Sequence, residues 1–171
     1  MKKKRKIVIP AQIKYLAQIR SFIDYIGRVY RYSSKDINAT KLAVEEACTN
    51  IMRHGYRDLP NGEITIKILI RRLSMTVILI DQGQSFDPRR VNKPDLLKYV
   101  EMGKMGGLGI MMIRKLMDDL QYNVTDEGNE FYLIKYRERF KNSILFKVWH
   151  LFKARRSNHL TIDDRIEAFS P

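Results

Sequence analysis

The sequence contains one cysteine, Cys48, among 171 residues. This excludes an internal disulfide, and a lone thiol cannot build a metal cluster. Cys48 falls inside an apolar helical pattern and reads as a small buried hydrophobe rather than a reactive thiol. A reducing, cytoplasmic setting is expected. Long apolar runs are also missing, since no uninterrupted stretch approaches the ~20 residues of a membrane-spanning helix. The basic opening "MKKKRKIVIPAQIKYLA" resembles the start of a signal peptide, but Gln12 and Lys14 interrupt its apolar part within a few residues. No leader is expected. Internal repeats and low-complexity segments are absent from the sequence. Acidic residues are scarce beside basic ones, 19 against 32, leaving a net charge of +13. The excess is concentrated in "KKKRK" and "KARR". That placement favours surface association with a nucleic acid, an acidic protein or an anionic membrane over a part in chemistry.

What is present is enough for one domain with a proper core and a distinct extension. The stretch "KIVIP" reads as a first strand ended by Pro10. From Ala11 to Tyr32, Ile13, Leu16, Ile19, Ile23, Ile26 and Val29 recur at helical spacing. Ser33, with Asp36 three residues on, marks the start of a second helix expected to run to about Arg53, where Gly55 and "DLPNG" break it. "EITIKILIRR" alternates Ile64, Ile66, Ile68 and Ile70 with polar residues, the pattern of a half-buried strand, and "MTVILID" reads as its more buried antiparallel partner. Residues 82 to 107 lack periodicity and carry several glycines and prolines, as expected of a functional lid. "GGLGIMMIRKLMDDL" predicts a helix through Leu120, with Leu108, Met112, Leu116, Met117 and Leu120 inward. A strand pair, "QYNVTD" and "EFYLIKYRE", closes the domain. The order predicts an α/β (α+β) two-layer sandwich, a mixed, mostly antiparallel sheet with helices on one face, over 1–137. Residues 138–171 form a basic extension. Within it, "RFKNSILFKVWHLFKARR" predicts an amphipathic helix, docked on the domain or a dimer partner, or resting on an anionic membrane.

Three segments carry candidate chemistry. On the second helix, Glu46, Asn50 and His54 line one edge, while Val44, Ala47 and Ile51 face the core. A polar row bordering buried surface sits where a pocket between helix and sheet would open. The Asn50 oxygen is a suitable hard ligand for Mg²⁺, which completes its shell with waters and phosphate oxygens. Glu46, one turn earlier, can accept a proton from an attacking hydroxyl. In "LIDQGQSFDP", Asp81 ends a buried strand, where it can accept a hydrogen bond from an exocyclic amine, and Gly83 allows close backbone approach. In "GKMGGLGI", Gly103, Gly106, Gly107 and Gly109 precede a helix and leave amides free to cradle phosphate, with Lys104 in reach of a terminal one. No Gly-Lys-Ser/Thr follows, so this is not a Walker A loop. A solvated helix edge, a strand-to-turn Asp-x-Gly and a mobile glycine loop are the structural alternatives for each segment alone.

In this order the segments "EEACTNIMRHGY", "DQGQSFDP" and "GGLGIMMIRKLMDD" resemble the N, G1 and G2 boxes of the histidine-kinase-like ATPase superfamily. Within it they are most similar to the anti-sigma factor serine kinases, over about residues 7 to 137. The resemblance implies a Bergerat-type site for ATP and Mg²⁺. Glu46 would be the general base, Asn50 the Mg²⁺ ligand and Asp81 the adenine reader, with Gly83 beside it. His54, Lys104, Gly106, Gly107, Leu108 and Gly109 would lie at the phosphates. Two positions depart from the family pattern. Ser85 stands where a second glycine is common, and Asn129 occupies the place of a threonine that helps to bind adenine.

The expected function is an ATP-dependent protein serine/threonine kinase that acts as an anti-sigma factor. It would phosphorylate an anti-anti-sigma antagonist and sequester a sigma factor, as a homodimer. No dimerisation helix with a phospho-accepting His precedes the N box, so a full sensor kinase is not expected. Two other readings stay open at this point: an ATP-binding regulatory module without transfer, and a basic-tailed nucleic-acid or membrane binder. Against the nucleic-acid reading, the central strands lack the interleaved aromatics of a single-strand groove.

Overall fold

The structure, a computed structural model, describes residues 3–57, 59, 61–85 and 109–143. The chain divides into two compact units, Met1–Arg137 and Glu138–Pro171. The predicted extension helix from residue 144 onward and most of the predicted lid lie outside the described residues.

In the first unit five strands form one sheet: β1 (Lys3–Pro10), β2 (Glu63–Ile70), β3 (Ser74–Asp81), β4 (Asp119–Thr125) and β5 (Gly128–Tyr136), in the order β1-β2-β3-β5-β4. Every pairing among the described residues is antiparallel. The register follows from the period-two pattern. Ile66 pairs with Leu79 and Ile68 with Val77; Val77 in turn pairs with Leu133. All of these are buried in the core. A slip of one residue would turn this apolar set to the other face, so the register is tightly specified.

Three helices supply the other side of the core: α1 (Leu16–Val29), α2 (Ser34–Asn50) and α3 (Gly109–Leu116). A 3-10 turn, Ile13–Tyr15, precedes α1 and takes up part of the single helix expected from Ala11. Leu16, Ile19, Ile23 and Ile26 are buried along α1. Val44, Ala47 and Cys48 are buried on α2, and Ile110 and Ile113 on α3. Each fully buried Ile contributes roughly 1.5–3 kcal/mol, so this Ile-rich interior drives the assembly of the two layers. The Ser33 cap is as expected: its Oγ accepts from the Asp36 N–H at 3.0 Å and donates to Asp36 Oδ2 at 2.8 Å.

Two boundaries differ from expectation. First, α3 ends at Leu116 rather than Leu120, and Asp119 and Leu120 belong to β4. The buried Lys135 explains the stop. Its ammonium donates to the Leu116 carbonyl at 2.7 Å, while Asp118 N–H bonds the Ile134 carbonyl at 2.9 Å and draws the chain into the sheet. Along α3 Ile110 and Ile113 are buried and Met112 is exposed; of the other residues expected inward, Met117 is buried just past the helix, Leu116 and Leu120 pack against the core, and Leu108 lies outside the described residues. Second, α2 stops at Asn50 and gives way to a π-helical turn, Ile51–Gly55. In the second unit the described part is a short helix, α4 (Glu138–Lys141), with an ion pair from Lys141 to Glu138 at 3.1 Å.

Candidate nucleotide site

The π-turn shapes the site. Tyr56 N–H reaches back to the Ile51 carbonyl at 3.0 Å, and such turns often mark functional positions in helices. The wider turn carries Gly55 toward the end of β3, where the Gly55 carbonyl accepts from Gln84 N–H at 2.8 Å. Gly83 lies directly on Gly55: a Cβ on Gly83 would sit 2.6 Å from the Gly55 carbonyl carbon and oxygen. Glycine is therefore required at 83 by backbone contact.

The four residues after β3 are tied down one by one. Gln82 N–H donates to the Tyr56 hydroxyl at 2.8 Å, and that hydroxyl donates to the Glu63 carbonyl at 2.7 Å. Gly83 N–H donates to Asp81 Oδ1 at 2.9 Å, and Gln84 N–H to Gly55 as above. Ser85 Oγ donates to Asn129 Oδ1 at 2.7 Å. Asn129 Nδ2 completes the ring, donating to Asp81 Oδ1 and to the Gly83 carbonyl, both at 3.0 Å.

Asp81 is 5% exposed. Burial pushes its carboxyl up from the ordinary value, and the bonds from Asn129 and Gly83 oppose that shift by stabilising the charge. Both bonds fall on Oδ1. Among the described residues Oδ2 accepts none, and Asp81 lines a pocket of about 400 Å³, a volume that includes its open mouth. Apart from Asp81, the described lining is mainly apolar, from Ile51, Ile110, Tyr122 and Phe131, with Asn50 and Gln84 at its polar edge. An apolar slot with one buried acceptor suits a flat heterocycle that presents an N–H donor.

Asn50 and Asp81 thus come together in one pocket, as expected. Glu46 is half-buried one turn before Asn50, and its carboxylate lies against Gly109, the first residue of α3. Among the described residues neither Glu46 nor Asn50 spends its side chain on a hydrogen bond within the protein. No group of three or more His, Cys, Asp or Glu among the described residues could hold a metal by itself. A hard cation held by the Asn50 oxygen, waters and phosphate fits this donor set. His54 is different. The π-turn takes it off the Glu46–Asn50 row, and it is exposed and absent from the described lining. Lys104, Gly106, Gly107 and Leu108 lie outside the described residues. Sequence reasoning missed the pocket walls Tyr122 and Phe131, and also the Tyr56 strut, whose only sequence signal is an aromatic directly after Gly55.

Helices backing one face of an antiparallel sheet, with a base-sized pocket between the end of α2 and the ends of β3 and β5, define an ATPase-like nucleotide-binding domain. The profile of the histidine kinase-like ATPase domain matches residues 9–135, and the chain belongs to that family. It is 36% identical over 140 residues to the serine-protein kinase RsbW of Bacillus cereus, a match covering 80% of this chain and 86% of the relative. The serine-protein kinase RsbW of Bacillus thuringiensis matches to the same extent, 36% over 140 residues. The fold is similar to that of the RsbU and RsbW domains of Rv1364c from Mycobacterium tuberculosis, with a TM-score of 0.54 and 18% identity, over 78% of this chain and 32% of that one.

Proposed function

We propose that this protein is an ATP-dependent protein serine/threonine kinase that acts as an anti-sigma factor, phosphorylating an anti-anti-sigma protein and sequestering a sigma factor. The observation that carries the reading is the placement of Asp81, Asn50 and Glu46. A buried acceptor and a carboxamide share one pocket, and an ungated carboxylate stands one helical turn away. Bound ATP with Mg²⁺ supplies the phosphoryl group. Asp81 Oδ2 accepts from the exocyclic amine of the base, and the apolar walls at Ile51, Ile110, Tyr122 and Phe131 exclude water from the ring. Asn50 would hold the cation through its side-chain oxygen, and Glu46 would take the proton of the incoming Ser or Thr hydroxyl. Phosphoryl transfer needs little covalent help from protein, so positioning and one base suffice. In this reading Lys104, Gly106, Gly107, Leu108 and Gly109 meet the phosphates, with His54 nearby at the surface.

The wider reading has three further parts. Homodimerisation is supported by the exposed apolar side chains Tyr25 and Val29 on α1. Contact of the basic termini with an anionic membrane or nucleic acid is supported by the net charge of +13. A cytoplasmic location is supported by the family and by the buried free thiol of Cys48. Among the described residues no helix is long and apolar enough to cross a membrane.

Glu46→Gln tests the central claim. It should bind ATP like the parent protein and transfer phosphate to a Ser-bearing antagonist at a rate about a hundredfold lower or worse, the usual worth of a positioned base. Undiminished transfer by that variant would reject Glu46 as the base. Binding without any transfer by the parent protein would favour a regulatory nucleotide-binding module.

A further inference from the structure

The two positions that depart from the family pattern, Ser85 and Asn129, touch each other. Ser85 Oγ donates to Asn129 Oδ1 at 2.7 Å across 44 positions of sequence. Asn129 is 3% exposed, and both of its N–H groups are spent inside the protein, one on Asp81 Oδ1 and one on the Gly83 carbonyl. Its orientation is therefore fixed. Two acceptors face the NH₂ end and a hydroxyl donor faces the oxygen, and the flipped amide would set oxygen against oxygen at two places. An amide held this way has no N–H left for a ligand. Its effect is exerted on Asp81, by occupying Oδ1 and leaving Oδ2 as the oxygen that accepts no hydrogen bond among the described residues.

We propose that Asn129, locked by Ser85, is a positioning residue that presents Asp81 Oδ2 as a pure acceptor, so that the Ser85–Asn129 pair sets the preference of the pocket for a 6-amino over a 6-keto purine. The inference rests on the nucleotide-binding reading above and adds the device that sets its selectivity. A carboxylate with one oxygen already committed can accept from an exocyclic amine and is repelled by a carbonyl at the same place. Without the pair Asp81 loses an N–H that stabilises its carboxylate, and a protonated Asp81, which carries a donor of its own, no longer rejects the carbonyl.

The same contact favours the charged form of Asp81, opposing the upward push of burial. Among the described residues the titratable groups that feel the Asp81 charge are Cys48 of α2 and Tyr56 after the π-turn, and burial pushes the pKa of both upward, toward their neutral forms. Neither supplies a competing charge. Asn129→Asp puts an acceptor, and a second negative charge, against Asp81 Oδ1, which raises the tendency of the pair to hold a proton.

The test compares Mg²⁺-ATP and Mg²⁺-inosine triphosphate by calorimetry on the full chain across a pH series. The parent protein should prefer ATP. Ser85→Ala should lower the ATP-to-inosine ratio by about fivefold, the worth of one neutral hydrogen bond, and Ser85→Thr should restore it. Asn129→Asp should abolish the preference near neutral pH and move the acid limb of ATP binding upward. Thermal unfolding of each variant separates a misfolded protein from a mispositioned carboxylate, and Ser85→Ala carries the test if Asn129→Asp fails to fold. A parent protein that binds neither nucleotide overturns the nucleotide-binding reading, and this inference with it. A parent protein that selects ATP, with the ratio unmoved in folded Ser85→Ala, overturns the inference alone.

Discussion

Gly109, at the start of α3, lies against Glu46 on α2 so closely that a Cβ there would stand 2.6 Å from the carboxylate carbon and 2.9 Å from Cγ. The glycine thus reserves the space in which the Glu46 carboxylate stands. Gly109→Ala should displace the Glu46 side chain and lower phosphoryl transfer by about a hundredfold, as loss of a positioned base does. ATP affinity should fall by less than transfer does, because the base-binding pocket around Asp81 is untouched while Gly109 meets the phosphates only through its backbone. Transfer rates and a nucleotide titration on the same variant check this split.

Asp81→Asn probes the base-reading acceptor without dismantling its surroundings. The Asn oxygen can still accept from Gly83 N–H and Asn129 Nδ2, while an NH₂ group replaces Oδ2 on the pocket side. ATP affinity should fall about tenfold to a hundredfold, the range for losing a hydrogen bond to a charged acceptor. Affinity for a 6-keto purine nucleotide should rise, because the new donor matches its carbonyl. Paired titrations with ATP and inosine triphosphate measure both changes.

The pH dependence has a definite sign. Burial holds the Asp81 carboxyl above its ordinary 3.8, and the ligand amine needs the ionised form. ATP affinity should therefore decline as pH falls through the raised pKa, beginning above the pH at which an exposed Asp titrates. The stability of the unliganded protein responds in the opposite sense. The folded state holds this proton more tightly than the unfolded chain, so ionised Asp81 subtracts stability above its folded pKa, and the loss is relieved as pH drops through it. Calorimetric Kd values and Tm values from neutral to mildly acid pH should show both trends, and Asp81→Asn should lack both.

Tyr56→Phe removes the hydroxyl that links Gln82 N–H to the Glu63 carbonyl. Stability should fall by about 1 kcal/mol, the net worth of such a bond, as read by urea unfolding. ATP affinity should weaken along with it, because the turn that carries Asp81 and Gly83 loses its first tie. Unchanged affinity in a destabilised Tyr56→Phe protein would assign the hydroxyl to the fold alone.

Much of this architecture is legible in the sequence, because it rests on local periodicity. The alternation of Ile64, Ile66, Ile68 and Ile70 gives β2 and its buried face, and Ser33 with Asp36 gives the start of α2. Asn50 and Asp81 were legible through motif order, and both line the same pocket. What escaped depends on contacts distant in sequence. The end of α3 is set by Lys135, 19 residues beyond the carbonyl it caps, while Met117 and Leu120 continue the apolar helical spacing and so mislead. The π-turn has no residue signature beyond Gly55, and it removes His54 from a row that an unbroken α-helix would have kept. The use of both Asn129 donors by Asp81 and Gly83 follows only from the β3–β5 register, which pairs Asp81 with Asn129.

No side chain separates Gly83 from Gly55; main chain rests on main chain. A joint of that kind has no side chain to give way, so the ends of α2 and β3 are fixed against each other on one side of the pocket. Any widening that admits or releases a nucleotide must then be accommodated on the opposite wall, where Ile110 of α3 supplies a side chain that can change rotamer.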